Sequence, residues 1–191
     1  MYQLLDGVSF IHANSIIHRD LKPQNVLITN SGQVKIADFG LARSYKPQQI
    51  QTSIVVTLWY RCPEILLASA EGYASAVDMW STGCIFAELV RRKPLFRGIS
   101  ENNQLVSIFE IIGSPAEYEW PEGTRLAYRS YAGYTAADFE ELFPELDHDA
   151  IDLMKKMLLF NPEHRITAKN ALQHDYLIQY QTTQTPTTSR Q

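Results

Sequence analysis

The sequence predicts a mainly α fold with a small β-hairpin, on three observations. Apolar residues recur at helical spacing before residue 13 and through most of the chain after residue 75. Between these stretches, 25–29 and 33–37 alternate apolar and polar positions and read as two strands. Asn30-Ser31-Gly32 joins them, with a glycine free to take a positive φ, so the pair is a hairpin. With 191 residues and 45% hydrophobic content there is enough chain for one compact core.

Taken in order, Leu4, Leu5, Val8, Ile11 and His12 mark a helix already under way at residue 1. The hairpin follows. Ser75-Ala76-Val77-Asp78 then opens a helix with capping-box spacing, and Val77, Trp80, Ile85 and Leu89 continue it at helical intervals. Helical periodicity returns over 101–112 and 149–159, and a shorter helix follows Thr167. The stretch 115–144 is rich in Pro, Gly and aromatics. The end of the chain is Thr/Gln-rich, and disorder is expected from Gln181 on.

Chemistry concentrates in His18-Arg19-Asp20-Leu21-Lys22-Pro23-Gln24-Asn25 and in Asp38-Phe39-Gly40. Transfer of a phosphoryl group needs its oxygens neutralised and its nucleophile aligned, with little covalent work from the protein. Asp20 offers a carboxylate that can orient a hydroxyl and accept its proton. Lys22, two residues on, points to the same side of an extended segment and can neutralise charge on the transferred group. Asn25 and Asp38 are hard oxygen ligands suited to Mg²⁺, which takes one or two protein ligands and completes its shell with phosphate and water. An antiparallel hairpin returns its far end to its start, so those two residues should sit side by side.

His18 to Asn25 together with Asp38-Phe39-Gly40 resembles the catalytic loop and metal motif of eukaryotic protein kinases. Val55-Val56-Thr57-Leu58-Trp59-Tyr60-Arg61-Cys62-Pro63-Glu64 is similar to the end of the activation segment of cyclin-dependent kinases, with Cys62 where that motif carries Ala. Asp38 to Arg43, Asp78-Met79-Trp80-Ser81 and Arg91 to Gly98 extend the likeness. The last of these, with Thr52-Ser53, looks most like the cyclin D-dependent subfamily. The resemblance runs from residue 1 to about Leu177. It implies a protein-kinase-like C-terminal lobe over 1–177 and a tail over 178–191.

Carried over residue by residue, the resemblance implies Asp20 as catalytic base and Lys22 as partner of the transferred phosphate. Asn25 and Asp38 would hold Mg²⁺, Leu27 would lie under the adenine of ATP, and Thr57 would hydrogen-bond near Asp20 and Lys22. Thr52 resembles an activating phosphothreonine with Arg19 and Arg43 as its guanidinium partners; an ordinary exposed loop threonine is the other reading. Val55 and Val56 would shape a pocket for proline just after the phosphorylated Ser or Thr. Asp78 would brace the backbone of the catalytic loop, and Glu64 with Arg165 would form a buried, fold-specifying ion pair. The implied activity is transfer of the ATP γ-phosphate to Ser/Thr-Pro sites in cell-cycle control. A cyclin, of D type, is the expected partner, and cytoplasm and nucleus the expected location.

Composition narrows the alternatives. A net charge of −4 without basic clusters argues against nucleic acid as the main partner. No apolar run approaches membrane-spanning length, so no membrane partner is expected. Cys62 and Cys84 do not suggest a disulfide framework, which points to a reducing compartment. His12, His148, His164 and His174 show no metal-ligand spacing and read as surface or structural groups.

No Gly-x-Gly-x-x-Gly loop and no Val-Ala-Ile-Lys-type strand occurs in these residues. The expectation is therefore a C-terminal lobe alone, without the β-rich N-terminal lobe. Two readings remain: a Ser/Thr kinase represented by part of its domain, or a non-catalytic module binding a cyclin, a substrate or another partner.

Overall fold

A computed structural model describes residues 1–44, 57–68 and 74–181. Its helix α1, Tyr2–Ala13, buries Leu4, Leu5, Val8 and Ile11. It ends where the Asn14 amide side chain donates to the Phe10 carbonyl at 2.8 Å, and Ser15 turns the chain with φ 58°. The short strand β1, Ile16–Ile17, follows. A 3₁₀ turn over Pro23–Asn25 then leads into β2, Val26–Ile28, which pairs antiparallel with β3, Val34–Ile36, in the register Val26↔Ile36, Leu27↔Lys35, Ile28↔Val34.

Both hairpin strands are shorter than the alternation predicts. Pro23 fixes φ at the first position of the 3₁₀ turn and draws Asn25 into it. The ladder nevertheless reaches past the strands, since the Ala37 amide donates to the Asn25 carbonyl at 2.9 Å. Gly32 takes φ 77° in the turn, and the Gln3 side chain of α1 accepts from the Val34 amide at 2.8 Å. A second two-stranded antiparallel sheet pairs β1 with β4, Arg43–Ser44, through Ile16↔Ser44 and Ile17↔Arg43.

The remaining described chain is helical: α2 (Pro63–Leu66), α3 (Ala74–Arg91), α4 (Glu101–Ile112), α5 (Phe139–Leu142), α6 (His148–Met157), α7 (Ala168–Ala171) and α8 (Asp175–Gln181). Small polar side chains begin several of them. Ser100 accepts from the Asn103 amide at 3.2 Å, Asp147 from Ala150 at 2.8 Å, and Thr167 from Asn170 at 3.2 Å. Helix α3 runs through the core, with Trp80 fully buried and stacked on Phe96 at 5.6 Å. At Gly83 a Cβ would lie 2.9 Å from both Leu158 Cδ2 and Met157 Cβ, so this glycine lets α3 and the end of α6 approach closely. Mostly helical architecture with small antiparallel sheets is the outcome among the described residues.

Two details of α3 correct the sequence reading. The helix already includes Ala74, so Ser75 lies inside it, and the Asp78 carboxylate turns to the loop after β1 instead of closing a capping box. Leu89 is 55% exposed and does not continue the buried stripe. At 100° per residue, twelve positions carry it about 120° around from Val77. The expected tail boundary at 178 falls inside α8, which continues to Gln181. Residues 182–191, Thr52, Ser53, Val55 and Val56 lie outside the described residues.

The Pro- and aromatic-rich stretch 115–144 is anchored by Trp120, which stacks on Tyr131 at 5.5 Å and on Phe160 at 6.1 Å. Its indole N–H is held by Thr124 Oγ1 and the Leu126 carbonyl. Aromatic packing thus holds a segment whose regular structure is limited to two 3₁₀ turns and α5.

Candidate functional site

The site is built on the turn between β1 and the hairpin. The amides of His18 and Arg19 both donate to one fully buried carboxylate, that of Asp78, at 2.8 Å each. Two successive N–H groups can converge in this way because Arg19 adopts φ 69°. That left-handed geometry costs a non-glycine residue about 1–2 kcal/mol, which the two charge-assisted bonds offset. His12 adds a third donor, with Nε2 2.9 Å from Asp78 Oδ2. Because a carboxylate only accepts, that nitrogen carries the proton.

His18 is buried and fixes its neighbours from the other side. Its Nε2 lies 2.9 Å from the Ala37 carbonyl, an acceptor, so the proton sits on Nε2. Nδ1 is then free to accept from the Asp20 amide at 3.3 Å. The Phe39 ring meets the imidazole edge-on at 4.9 Å. One histidine therefore joins the loop carrying Asp20 to the end of β3, from which Asp38 follows.

Asp20, Lys22 and Asn25 form a single cluster. Lys22 Nζ donates to Asp20 Oδ2 at 2.7 Å, and Asn25 Nδ2 donates to the same oxygen at 3.2 Å and to the Asp20 carbonyl at 2.8 Å. With Oδ2 held twice, Oδ1 is the oxygen left to receive a proton from an incoming hydroxyl. With its nitrogen committed to Asp20, Asn25 is left with its amide oxygen for a cation. Asp38 stands next to the Asn25–Ala37 backbone bond with φ 62°, and its Oδ1 accepts from the Gly40 amide at 3.3 Å. Two hard oxygens are thereby offered from adjacent chain segments, a donor set that suits Mg²⁺. Among the described residues no three His, Cys, Asp or Glu side chains gather as a metal site.

Around this cluster the surface is apolar and open. Leu27 is 52% and Ile28 71% exposed on β2, and Phe39 and Leu41 are exposed beside Asp38. Thr57 is exposed and opens the turn Leu58–Tyr60, and among the described contacts none joins it to Asp20 or Lys22. The turn it opens is anchored elsewhere: Trp59 Nε1 donates to the Gly98 carbonyl at 3.1 Å, and Tyr60 Oη to Glu88 Oε2 at 2.6 Å. Arg43 lies in β4 and Arg19 in the loop. Their expected partner, residue 52, lies outside the described residues.

Glu64 and Arg165 meet in a buried two-pronged pair at 2.7 and 3.1 Å. Arg165 also donates to the carbonyls of Ala76, Leu159 and Phe160 and lies 5.1 Å from the Trp80 ring centre. Burial, with the Glu64 charge nearby, pushes the Cys62 thiol well up from its usual range, so it stays a neutral packing group. Sequence reasoning read His12 as a surface or structural group and gave no role to the side chain of His18. The only local signal was the position of His12 near the end of α1, six residues before His18.

Comparison with known proteins follows the same line. Residues 1–177 match the family model described as Protein kinase domain. The chain is 53% identical over 177 residues to cyclin-dependent kinase 4 of Mus musculus, covering 93% of this chain and 58% of that protein. It is 52% identical over 176 residues to cyclin-dependent kinase 4 of Xenopus laevis, covering 92% and 54%. Over 181 residues it is 52% identical to cell division control protein 2 homolog 3 of Trypanosoma brucei brucei, covering 92% and 58%. The chain thus spans a little over half the length of these curated relatives.

Proposed function

The chain belongs to the protein kinase domain family, in its cyclin-dependent kinase branch, and from that premise we propose that it carries the catalytic-loop half of a Ser/Thr kinase. In this reading residues 1–177 are the C-terminal lobe, with a tail after it. The reaction is transfer of the ATP γ-phosphate to a Ser or Thr followed by Pro, in control of the cell cycle. The observation that carries the reading is the Asp20–Lys22–Asn25 cluster, with all three side chains joined at 2.7–3.2 Å.

Each residue then has a defined task. Asp20 Oδ1 orients the substrate hydroxyl and takes its proton as the oxygen attacks phosphorus. Lys22, already held against Asp20 Oδ2, leans its charge toward the transferred group. Asn25 and Asp38 would hold Mg²⁺, which when bound neutralises charge on the phosphate oxygens. Leu27 supports the adenine, Thr57 joins the Asp20–Lys22 pair once substrate is present, and Val55 and Val56 shape the pocket for proline. Thr52, when phosphorylated, is gripped by Arg19 and Arg43. A D-type cyclin is the partner, and the protein works in cytoplasm and nucleus. A lobe covering the nucleotide must join these residues for turnover, since they contain no glycine-rich loop.

A second reading, a non-catalytic module that binds a cyclin, a substrate or another partner, is favoured by the exposure of Leu27 and Ile28. One experiment separates the two. Protein isolated with its natural partners is assayed with ATP, Mg²⁺ and paired Ser-Pro and Ser-Ala peptides, against Asp20→Asn. The enzyme reading expects Ser-Pro phosphorylation that falls at least ~100-fold in the variant. Transfer indifferent to Asp20 sinks it, and cyclin capture without any transfer establishes the module.

A further inference from the structure

A cleft of about 390 Å³ lies between the end of α1, β1 and the start of α7. Its volume is within the range of small-molecule sites. The buried side chains of Ile17 and Ala168 give it an apolar floor. Ser9, His12, Ser15, Thr167 and Lys169 stand around that floor, with Ser75 contributed by α3. The Ser9 and Ser15 hydroxyls bond to no other described residue, and Ser15 holds φ 58°.

The chemistry of the lining selects its occupant. Among the described residues Lys169 is its one fixed charge, and no carboxylate lines it. A cation would meet Lys169 without an acidic partner among the described residues, and a neutral hydrocarbon would gain nothing from the exposed Lys169 or the serine hydroxyls. An anionic head with a small apolar body satisfies both halves of the cleft. We propose that this cleft binds a small organic anion, and that its occupancy is transmitted to the catalytic loop through His12. The route is short. His12 lines the cleft and bonds Asp78 Oδ2 at 2.9 Å, and the same oxygen accepts the His18 amide at 2.8 Å. Ile16 and Ile17, also in the lining, lead directly into His18.

The test is heteronuclear NMR on the 191-residue chain, titrated with phenyl phosphate, with inorganic phosphate and phenol run as separate arms. Saturable shifts are expected at Ser15, Ile17 and Ala168, accompanied by shifts of the His18 and Arg19 amides. Lys169→Glu should weaken binding at least ~5-fold. Ala13→Trp, from an exposed position in the lining, should abolish it. Undisturbed Leu5 and Phe109 signals confirm that both variants fold. Shifts that persist in both variants overturn the site. Inorganic phosphate or phenol binding as tightly as phenyl phosphate overturns the ligand class. His18 and Arg19 amides that stay fixed while the cleft saturates overturn the coupling.

Discussion

Replacing Asp78 with Asn keeps the size of the brace behind the loop that carries Asp20 but exchanges one acceptor for a donor. The carboxylate receives three donors, the His18 and Arg19 amides at 2.8 Å and His12 Nε2 at 2.9 Å. Whichever way the new carboxamide turns, its NH₂ faces at least one N–H. The less costly choice keeps the oxygen toward His18 and His12 and abandons the Arg19 amide. A hydrogen bond to a charged group contributes about 1.5–3 kcal/mol, and an unsatisfied buried donor costs about 1–3 kcal/mol. Arg19 recovers about 1–2 kcal/mol if it leaves its left-handed φ once the brace is lost. The net loss is about 2–3 kcal/mol, a large fraction of the roughly 5–15 kcal/mol that stabilises a domain. Urea unfolding should register that loss. Amide exchange at His18 and Arg19 should accelerate about 100-fold, the equivalent of about 2.7 kcal/mol. A variant within about 1 kcal/mol of wild type, with exchange at both amides unchanged, would show that Asp78 does not hold the turn.

Arg165→Met should destabilise by about 3–5 kcal/mol in urea, because it leaves Glu64 as an uncompensated buried charge. The double change Glu64→Leu with Arg165→Met should lose less than either single change, and simple additivity would refute the ion-pair account. Gly98→Ala should cost about 3 kcal/mol by thermal unfolding, since its Cβ would lie 2.4 Å from Gln104 Cα and 2.5 Å from Gln104 N, both backbone atoms. The Asp152 carboxyl is held below its ordinary 3.8, first by the Lys156 hydrogen bond, against burial, with His174 adding to it. A depressed acid stabilises the fold above its unfolded value and loses that contribution as pH falls below it. Asp152→Asn should therefore cost less than about 1 kcal/mol near neutrality, with a difference from wild type that shrinks in unfolding measured below pH 3.8.

Local signals were legible in the sequence, and contacts across the chain were legible only through family resemblance. The hairpin follows from alternation and a glycine turn, and antiparallel register alone brings Asp38 beside Asn25. The β1–β4 pairing left no trace, because two-residue strands have no period to read. Ser75 and Asp78 illustrate a local rule losing to a tertiary one. The spacing suits a capping box, but two backbone amides and an imidazole compete for the same carboxylate and win it. Glu64 and Arg165 are 101 positions apart, so no window of sequence could join them. The left-handed φ of Arg19 was equally invisible, since its cause is a side chain 59 residues away.

These long-range contacts share one element, and that explains how the site keeps its shape. Asp78 on α3 fixes the loop that carries Asp20. One turn later, Ser81 donates to the Tyr60 carbonyl at 2.9 Å, and Glu88 accepts from Tyr60 Oη at 2.6 Å. The Ala76 carbonyl receives Arg165 at 2.8 Å, and Arg165 in turn holds Glu64 at the start of α2. The loop bearing Asp20 and the segment 57–66 are thus each referenced to the same buried helix. Their relative position is set through α3. A helix with Trp80 buried at its centre and Gly83 pressed on Leu158 cannot shift to accommodate one of these segments without moving the other.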